Sequence, residues 1–520
     1  MVEMIVRMCF EMANEMLKDY LMLAAAEVTN GNMQADVSAA EMTAFVANLN
    51  LVHQSYPEIA KGILQELIDQ RSHLKLIASE NFSSLSVQAA MGNLLTDKYA
   101  EGYVKNRFYA GCDNVDEIEG LAVKEACELF GVDHAYVQPH SGADANLVAF
   151  WAILRKKIQA PMLEKLEKAN LLHLTKAEWD DIRVEMGNQR LLGLDLYSGG
   201  HLTHGYRHNV SAQMFDVYNY SVDEETGVLN YDHIRDLLHE VKPLVFLIGF
   251  SAYTRNINYE RMRQYADEVG AVMMVDMAHV AGLVAGGAIS GIYDPTKYAD
   301  IITTTTHKTL RGPRGGMVLA TEEFAEQVNK GCPHVLGGPL PHVMAAKALA
   351  FKEARQPEFK AYAAKIIENA QAFAAALGEK GMTIPTGGTD NHIVLVNVGV
   401  LGLTGRQAES ALRECGITLN RNTIPFDPQG PWFTSGLRFG TPALTTLGMG
   451  TVEMVEIADI VATVLKEIKP AFIESKGIYS KAKYELDTEV IEKAKKCVVA
   501  ILENYVLYPE LDVEFLKRYI

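Results

Sequence analysis

The sequence predicts an α/β protein, with a large domain built on a mostly parallel β-sheet and a smaller α+β domain after it. A chain of 520 residues is too long for one simple hydrophobic core, which favours at least two domains. Between about residues 120 and 310, helical patterns alternate with short β-rich runs, as is typical of a parallel sheet covered by helices on both faces. After about residue 345 long helices dominate, which indicates the second domain.

Three segments follow from these changes of pattern. We expect an N-terminal helical arm over residues 1–75 and a large domain that carries the functional site over residues 76–345. A small C-terminal domain with extra terminal helices is expected over residues 346–520. In the arm, the first 28 residues indicate an amphipathic helix. Pro57 can begin a further helix, whose i, i+4 stripe we expect to be Ile59, Ile63 and Leu67.

One charged segment interrupts the alternation of the large domain. Residues 156–190, approximately, have a helical pattern, and Thr175 and Glu178 are spaced as a capping box. The segment therefore predicts a surface helical hairpin inserted into a loop.

Composition limits the classes of partner. The chain has 48 Lys+Arg against 65 Asp+Glu, a net charge of −17, which disfavours a nucleic-acid or anionic-membrane surface. The six cysteines are scattered without a CxxC pair, which favours a reducing cytoplasm over a disulfide scaffold. The apolar run from residue 271 contains Asp276 and His279, so we do not expect it to span a membrane. We expect a cytoplasmic protein without nucleic-acid or membrane partners.

A lysine at the end of a predicted strand raises the first functional question. TTTTHKTLRGPRGG, residues 303–316, reads as a β-strand that ends near Lys308 and breaks into a glycine-rich loop. VMMVDMAH, residues 272–279, is another apolar strand, and Asp276 lies at its end. Ligands of open α/β sheets bind at the carboxyl ends of the strands, where both side chains are expected. A solvated lysine or an ordinary salt bridge remains the alternative.

Three further segments could contribute to a site. VQPHSGADAN, residues 137–146, predicts a strand, a Ser-Gly turn and a helix start with free backbone N–H groups for a phosphate. YSGGHLTHG, residues 197–205, sets glycines beside two histidines; metal ligation is the competing reading, but no carboxylate or thiol lies nearby in sequence. KYAEGYVKNRFYAG, residues 98–111, combines tyrosines, basic residues and Glu101, and could equally be a solvated loop.

Together these parts suit pyridoxal 5′-phosphate. Such enzymes use a lysine for the Schiff base, an aspartate that keeps the pyridine nitrogen protonated, and a helix amino end for the phosphate. Lys308, Asp276 and the Ser141–Gly142 turn supply these three groups in this sequence.

The motifs also resemble a known family. Seven sequence motifs are similar to those of serine hydroxymethyltransferase and occur in the same order. They are LIASENF, KYAEGY, VQPHSG, GGHLTHG, VDMAHVAGL, TTTTHKTLRGPRGG and SGLRFGTP. The resemblance runs from about residue 55 to about residue 470. It implies a fold-type-I pyridoxal-phosphate transferase that interconverts serine and glycine, passes the one-carbon unit to tetrahydrofolate as co-substrate, and forms a homodimer with shared active sites.

The resemblance implies a role for each matching residue around the cofactor. Lys308 would carry the Schiff base and Asp276 would hold the ring nitrogen. The other cofactor contacts within the same chain would be His201 stacked on the ring, Ser251 and His279 through hydrogen bonds, and Ser141, Gly142 and His307 at the phosphate.

The resemblance likewise implies the substrate contacts. Arg438, with Ser79, would hold the substrate carboxylate. Glu101 would handle a proton near the hydroxymethyl group, with Tyr109 close by. Tyr99, Gly337 and Gly338 would reach the phosphate from the neighbouring subunit, and the folate would contact Leu196, Gly200, His201, Leu202 and Asn422. No metal site is implied.

Some positions depart from the family pattern. Ala143 replaces the usual second phosphate serine, Ser198 replaces a histidine, and the folate-side loop reads GPWF at residues 430–433.

Two alternative functions stay open beside the main interpretation. One is an enzyme that keeps the cofactor without folate, such as an aldolase for β-hydroxy amino acids or an alanine racemase. The other is a catalytically silent binding scaffold, although Lys308 and Arg438 are both present.

Overall fold

A computed structural model describes residues 37–520, together with Met16, Asp19, Tyr20 and Met22. Most of the amphipathic helix expected over residues 1–28 lies outside the described residues. The chain forms two compact units, which we call the terminal unit (residues 1–74 with 495–520) and the main unit (residues 75–494). The sequence-based domain boundaries, including the one after residue 345, stay predictions.

The terminal unit contains two long helices, α1 (Val37–Ser55) and α2 (Pro57–Ser72). Helix α2 begins at Pro57 as expected, but its buried residues are Ala60, Leu64 and Leu67. Ile59 is 52% exposed and Ile63 is 40% exposed, so the expected stripe is wrong at these two positions. The buried i, i+4, i+7 stripe is Ala60, Leu64 and Leu67, and α2 contacts both α1 and the short helix Val513–Lys517.

The main unit is built on a seven-stranded sheet, which confirms the predicted α/β class. Its strands are β1 (His134–Tyr136), β2 (Arg190–Leu194), β3 (Asp216–Tyr220), β4 (Val245–Gly249), β5 (Val272–Asp276), β6 (Ile301–Thr305) and β7 (Gly316–Ala320). Their order across the sheet is β1-β7-β6-β5-β4-β2-β3. Strand β7 runs antiparallel to both of its neighbours, and the other six strands are parallel to one another.

Helices cover both faces of this sheet. Before β7 they are α3 (Leu85–Ala89), α4 (Asp113–Phe130), α5 (Gly142–Leu154), α6 (Ala160–Lys165), α7 (Lys176–Gly187), α8 (Ser211–Met214), α9 (Tyr231–Val241), α10 (Tyr259–Val269) and α11 (Ala281–Ala285). Alternate strand residues face opposite cores: Phe246 and Ile248 lie in one, whereas Val245 and Leu247 lie in the other. This period of two is what a sheet buried on both faces requires.

The polypeptide after β7 continues as helices and small antiparallel sheets. The helices of this part are α12 (Glu322–Asn329), α13 (Gly331–His334), α14 (Pro341–Ala354), α15 (Pro357–Glu379), α16 (Gly405–Glu414), α17 (Pro442–Thr446), α18 (Thr451–Glu467), α19 (Thr488–Leu502) and α20 (Val513–Lys517). A three-stranded sheet contains β8 (Ile393–Asn397), β9 (Asn420–Asn422) and β10 (Gly436–Gly440), and β11 (Lys469–Ile473) pairs with β12 (Ile478–Glu485). No described helix has a stretch long and apolar enough to cross a bilayer.

The predicted insert is helical and contains α6 and α7. Thr175 and Glu178 form the expected capping box, in which each side chain accepts a hydrogen bond from the backbone N–H of the other residue. Ile182 is fully buried and Met186 is 6% exposed, and both pack into the core on one face of the sheet. The insert is therefore more than a surface hairpin, because α7 contributes side chains to the hydrophobic core.

The carboxyl ends of three adjacent strands determine where the site lies. The register pairs Gly249 at the end of β4 with Asp276 at the end of β5, and Asp276 with Thr303 of β6. A Cβ atom on Gly249 would lie 2.3 Å from the backbone oxygen of Asp276, so this strand end requires glycine. Asp276 consequently ends its strand at this edge of the sheet, and Ser251 and Lys308 follow the ends of β4 and β6 there.

Candidate active site

A cavity of about 490 Å³ lies at this edge of the main unit. Ten of the predicted site residues line it: Ser79, Ser141, Gly142, His201, Ser251, Asp276, His279, His307, Lys308 and Arg438. These residues come from positions between 79 and 438, so the folded chain brings together side chains that are far apart in sequence. The remaining lining residues include Glu80, Ala143, Thr305 and Arg314.

Lys308 stands three residues beyond the end of β6. Its backbone oxygen accepts a hydrogen bond from Asn81 Nδ2 at 2.9 Å, and the next residue, Thr309, donates from Oγ1 to the His279 oxygen at 2.9 Å. Burial lowers the pKa of Lys308 to about 8, although the charge of Asp276 opposes this shift. The side chain therefore has a larger neutral, nucleophilic fraction near pH 7 than an exposed lysine has.

The carboxylate of Asp276 is surrounded by hydrogen-bond donors. Asn146 Nδ2 lies 2.9 Å and His204 Nε2 3.3 Å from Oδ2, and the Ala278 N–H donates to Oδ1 at 3.0 Å. Burial raises the pKa of Asp276, but the hydrogen bond and charge of His204, with Asn146, outweigh it and hold the pKa below its usual range. Asp276 is therefore ionised at neutral pH and can hold a proton on a partner nitrogen.

Two histidines of the 199–205 motif lie beside this carboxylate. His201 Nδ1 and Thr203 Oγ1 are 2.7 Å apart, and burial lowers the pKa of His201 to about 4, so its imidazole is neutral. Ligand atoms of His201, His204 and Asp276 lie within 4.8 Å of one another. The expectation from the sequence was that no carboxylate lies nearby along the chain, and the fold brings Asp276 to these histidines from 72 positions beyond His204. Because Asn146 and His204 already contact Oδ2, the geometry favours a hydrogen-bonded anion over a metal ligand.

Arg438 also lines the cavity. Arg438 Nη1 donates to the Ser251 oxygen at 2.7 Å, and its Nε donates to Asn420 Oδ1 at 3.0 Å. Burial lowers the pKa of Arg438 to about 10, which leaves the guanidinium charged at neutral pH. Nearby, His279 stacks on His392 with 5.4 Å between ring centroids, and burial lowers the pKa of His279 well below its usual value.

The Ser141–Gly142 turn begins helix α5. Ser141 is the N-cap, and its Oγ accepts a hydrogen bond from the Asp144 N–H at 3.1 Å. A Cβ atom on Gly142 would lie 2.8 Å from Thr305 Cγ2, so the turn fits closely against the end of β6. Burial lowers the pKa of His307, which lines the same part of the cavity, to about 3. Ala143 also lines the cavity and contributes no hydroxyl group.

A second group of predicted residues does not line this cavity. Glu101 Oε2 accepts a hydrogen bond from Tyr109 Oη at 3.0 Å, and the rings of Tyr99 and Tyr109 are 5.3 Å apart. A Cβ atom on Gly338 would lie 3.2 Å from the Tyr99 ring, and the Gly337 oxygen accepts from Cys332 Sγ at 3.4 Å. Tyr99 is 58% exposed and Tyr109 is 46% exposed. We call Tyr99, Glu101, Tyr109, Gly337 and Gly338 the exposed cluster.

The four remaining predicted positions lie outside the main cavity. Leu196 and His201 line a smaller cavity of about 290 Å³ beside it. Gly200 packs closely against β2, since a Cβ atom there would lie 2.1 Å from the Leu194 oxygen. Leu202 is 46% exposed, and Asn422 is on β9, opposite Gly436.

Sequence reasoning missed several polar residues of the site. Asn146 and His204 hold Asp276, and Arg314 lines the cavity beside His307. Asn146 occurs in the quoted motif at residues 137–146, but its partner Asp276 is 130 positions away. A contact at that separation leaves no trace in local spacing, so the residue could be identified only as an unusual buried amide in an apolar helix.

Comparison with known proteins identifies the family. The sequence model of the family described as serine hydroxymethyltransferase matches residues 52–185 and 182–461. This chain belongs to the serine hydroxymethyltransferase family. Serine hydroxymethyltransferase of Treponema pallidum is 58% identical over 476 residues, which are 92% of this chain and 83% of that protein. The enzyme of Salinispora tropica is 54% identical over 91% of this chain and 99% of its own length. The enzyme of Mycolicibacterium smegmatis is 52% identical over 94% of this chain and 98% of its own length.

Proposed function

We propose that this protein interconverts serine and glycine with transfer of the hydroxymethyl carbon to tetrahydrofolate, using pyridoxal 5′-phosphate as cofactor. The observation that carries the proposal is the meeting of Lys308, Asp276 and Arg438 in one cavity of a chain that belongs to this family. The named relatives are serine hydroxymethyltransferases, which supports the same reaction here.

The donor set of the cavity fits pyridoxal 5′-phosphate. Lys308 offers an amine of lowered pKa for the aldehyde, and the ionised Asp276 offers a partner for a protonated ring nitrogen. Ser141 and the first turn of α5 offer a hydroxyl and a helix amino end for a phosphate. When bound, the cofactor supplies an electron sink for the bonds of the substrate α-carbon.

The residues of this chain orient the substrate and manage its protons. Arg438 remains charged and is held by Ser251 and Asn420, so its planar fork can bind the amino-acid carboxylate, with Ser79 beside it. His201 is neutral and can stack on a flat ring without adding charge. Asp276 would keep a proton on the ring nitrogen of the bound cofactor, because His204 and Asn146 stabilise its anion.

The exposed cluster supports a homodimer with shared sites. Glu101 and Tyr99 are site residues by motif, yet neither lines the cavity of Lys308, and Tyr99 and Tyr109 expose large parts of their rings. In a two-fold dimer the same surface of each chain can complete the cavity of the other. Glu101 would then handle the proton of the hydroxymethyl group, and Tyr99, Gly337 and Gly338 would reach the phosphate. Leu196, Gly200, Leu202 and Asn422 are the proposed folate contacts.

The reducing cytoplasm is the proposed location. The cysteines that the structure describes form no disulfide bond with one another; they are Cys112, Cys127, Cys332, Cys415 and Cys497. Cysteines outside disulfide bonds are typical of proteins in reducing compartments.

A product assay tests the proposed reaction against its alternatives. Purified protein with pyridoxal phosphate, serine and tetrahydrofolate is expected to form glycine and a one-carbon folate in equal amounts. Omitting tetrahydrofolate is expected to stop most of this turnover. Equal rates without folate on other β-hydroxy amino acids would favour an aldolase, alanine racemisation alone would favour a racemase, and a protein without turnover would favour a binding scaffold.

A further inference from the structure

A buried lysine outside the cavity lining, Lys347 on α14, has no role in the reaction described above. Its side chain is 1% exposed. Its Nζ donates to the backbone oxygens of Val137 at 2.6 Å, Pro139 at 3.0 Å and Gly316 at 2.8 Å. An ammonium group has three N–H donors, so these carbonyls use all of them.

The charge of Lys347 lacks a close counter-ion. Within residues 37–520, its Nζ forms no ion pair. Burial lowers the pKa of Lys347 to about 7, and the charges of Glu119 and Asp144, which act at longer range, oppose this shift. Removing a cation from water costs free energy unless a nearby charge compensates it. Three carbonyl dipoles supply part of this compensation. An anionic ligand close to the lysine would supply the rest.

The carbonyls that bind Lys347 support the Ser141–Gly142 turn. Pro139 precedes Ser141 by two residues, and its oxygen also accepts a hydrogen bond from the Gly316 N–H at 2.9 Å. A Cβ atom on Gly316 would lie 2.1 Å from the Ser141 oxygen, so the start of β7 is packed directly against the turn. Lys347 therefore fastens the two backbone segments on which Ser141 rests.

Lys347 also packs against the loop that follows Lys308. A Cβ atom on Gly315 would lie 2.6 Å from Lys347 Cε and 2.9 Å from its Nζ. The same loop carries Arg314, which lines the cavity together with His307. One buried lysine thus lies behind both segments, which form the end of the cavity that is proposed to bind the phosphate.

We infer that Lys347 is a positioning residue for the phosphate end of the site, and that its buried charge gives the cavity a preference for a phosphorylated over an unphosphorylated pyridoxal. The inference rests on the proposed function, in which this cavity binds pyridoxal 5′-phosphate. An anion bound nearby favours the charged form of Lys347, and the two charges attract each other through a low effective dielectric constant, so the preference does not require direct contact.

Cofactor-free protein provides the test, with binding as the readout. Pyridoxal 5′-phosphate and pyridoxal are titrated separately, by absorbance, into the wild type, Lys347→Met and Lys352→Met. Lys347→Met is expected to weaken binding of the phosphate ester at least about tenfold and to change pyridoxal binding less than about twofold. Lys352 is an exposed lysine on the same helix, so Lys352→Met receives the same chemical change and is expected to match the wild type.

The ratio of the two affinities separates a phosphate role from a purely structural one. Equal weakening for both ligands, or no weakening at all, would overturn the inference. If the wild type itself does not prefer the phosphate ester, the proposed cofactor is wrong and the inference falls with it. If Lys347→Met does not fold, Lys347→Gln keeps two N–H donors without the charge, and the same ratio decides.

Discussion

The imidazole of His204 lies 3.3 Å, Nε2 to Oδ2, from the carboxylate of Asp276, although 72 positions separate the two residues. Asn146 reaches the same oxygen from the first half of α5, at 2.9 Å. These two donors offset the cost of burying the carboxylate and hold the pKa of Asp276 below its usual range. The negative charge of Asp276, which the proposed cofactor needs beside its ring nitrogen, therefore depends on Asn146 and His204. Neither of these residues lines the cavity of Lys308.

Removing one donor tests this dependence. Asn146→Ala is expected to weaken binding of pyridoxal phosphate about tenfold, because a hydrogen bond to a charged group contributes about 1.5–3 kcal/mol. A titration of cofactor-free protein measures the change. Asn504→Ala removes an exposed asparagine in another part of the chain and is the control. Unchanged affinity in Asn146→Ala would show that Asp276 does not need this donor.

The lowered pKa of Lys308 predicts how its reactivity depends on pH. The neutral amine attacks an aldehyde, so the rate of covalent attachment of pyridoxal phosphate should rise with pH and reach half its maximum near pH 8. Stopped-flow absorbance measures this rate, and borohydride reduction followed by peptide mapping identifies the labelled lysine.

Two variants complete this experiment. Lys308→Ala should lose the label, whereas Lys297→Ala, at an exposed lysine before β6, should keep it. A rate that rises only as pH approaches 10.5, the usual pKa of lysine, would contradict the buried environment of Lys308. A label on any other lysine would contradict its assignment.

Glu101 is expected to affect turnover more than cofactor binding. Glu101→Gln preserves the size of the side chain and its acceptor for Tyr109, but an amide cannot shuttle a proton. Folate-dependent cleavage of serine should therefore fall by about a hundredfold or more, within the usual range for loss of general acid–base catalysis. The affinity for pyridoxal phosphate should remain close to that of the wild type.

A neighbouring carboxylate provides the matched control for Glu101. Glu117→Gln makes the same change at an exposed position on α4 and should leave both turnover and cofactor affinity unchanged. If Glu101→Gln lost cofactor and turnover in parallel, Glu101 would have a structural role.

Subunit mixing tests whether sites are shared across a dimer. Lys308→Ala and Glu101→Gln are each expected to be inactive, and the two proteins are allowed to exchange subunits. A mixed dimer would contain one site with both changes and one site with neither, so random mixing should restore activity to roughly a quarter of all sites. Activity that remains at the level of the separate variants after verified exchange would exclude the shared-site arrangement.

Local pattern in the sequence was sufficient for much of the architecture. The β-rich runs around residues 272–276 and 301–305 are strands, because continuous apolar or β-branched residues suit a strand buried on both faces. The capping box at Thr175 formed because it depends on residues three positions apart. The order of motifs was likewise enough to identify the family, and the comparisons confirm that identification.

The tertiary structure decided what local pattern does not contain. The buried face of α2 is set by the helices that pack on it, so Ala60 and Leu64 are buried in place of the expected Ile59 and Ile63. The insert became part of the core because Ile182 and Met186 belong to the same hydrophobic cluster as residues of α5 and α12. The contacts of Asn146 with Asp276 and of Lys347 with three carbonyls join residues 31 to 210 positions apart. Hydrogen bonds and burial at such separations depend on the packed backbone, so spacing along the sequence could not reveal them.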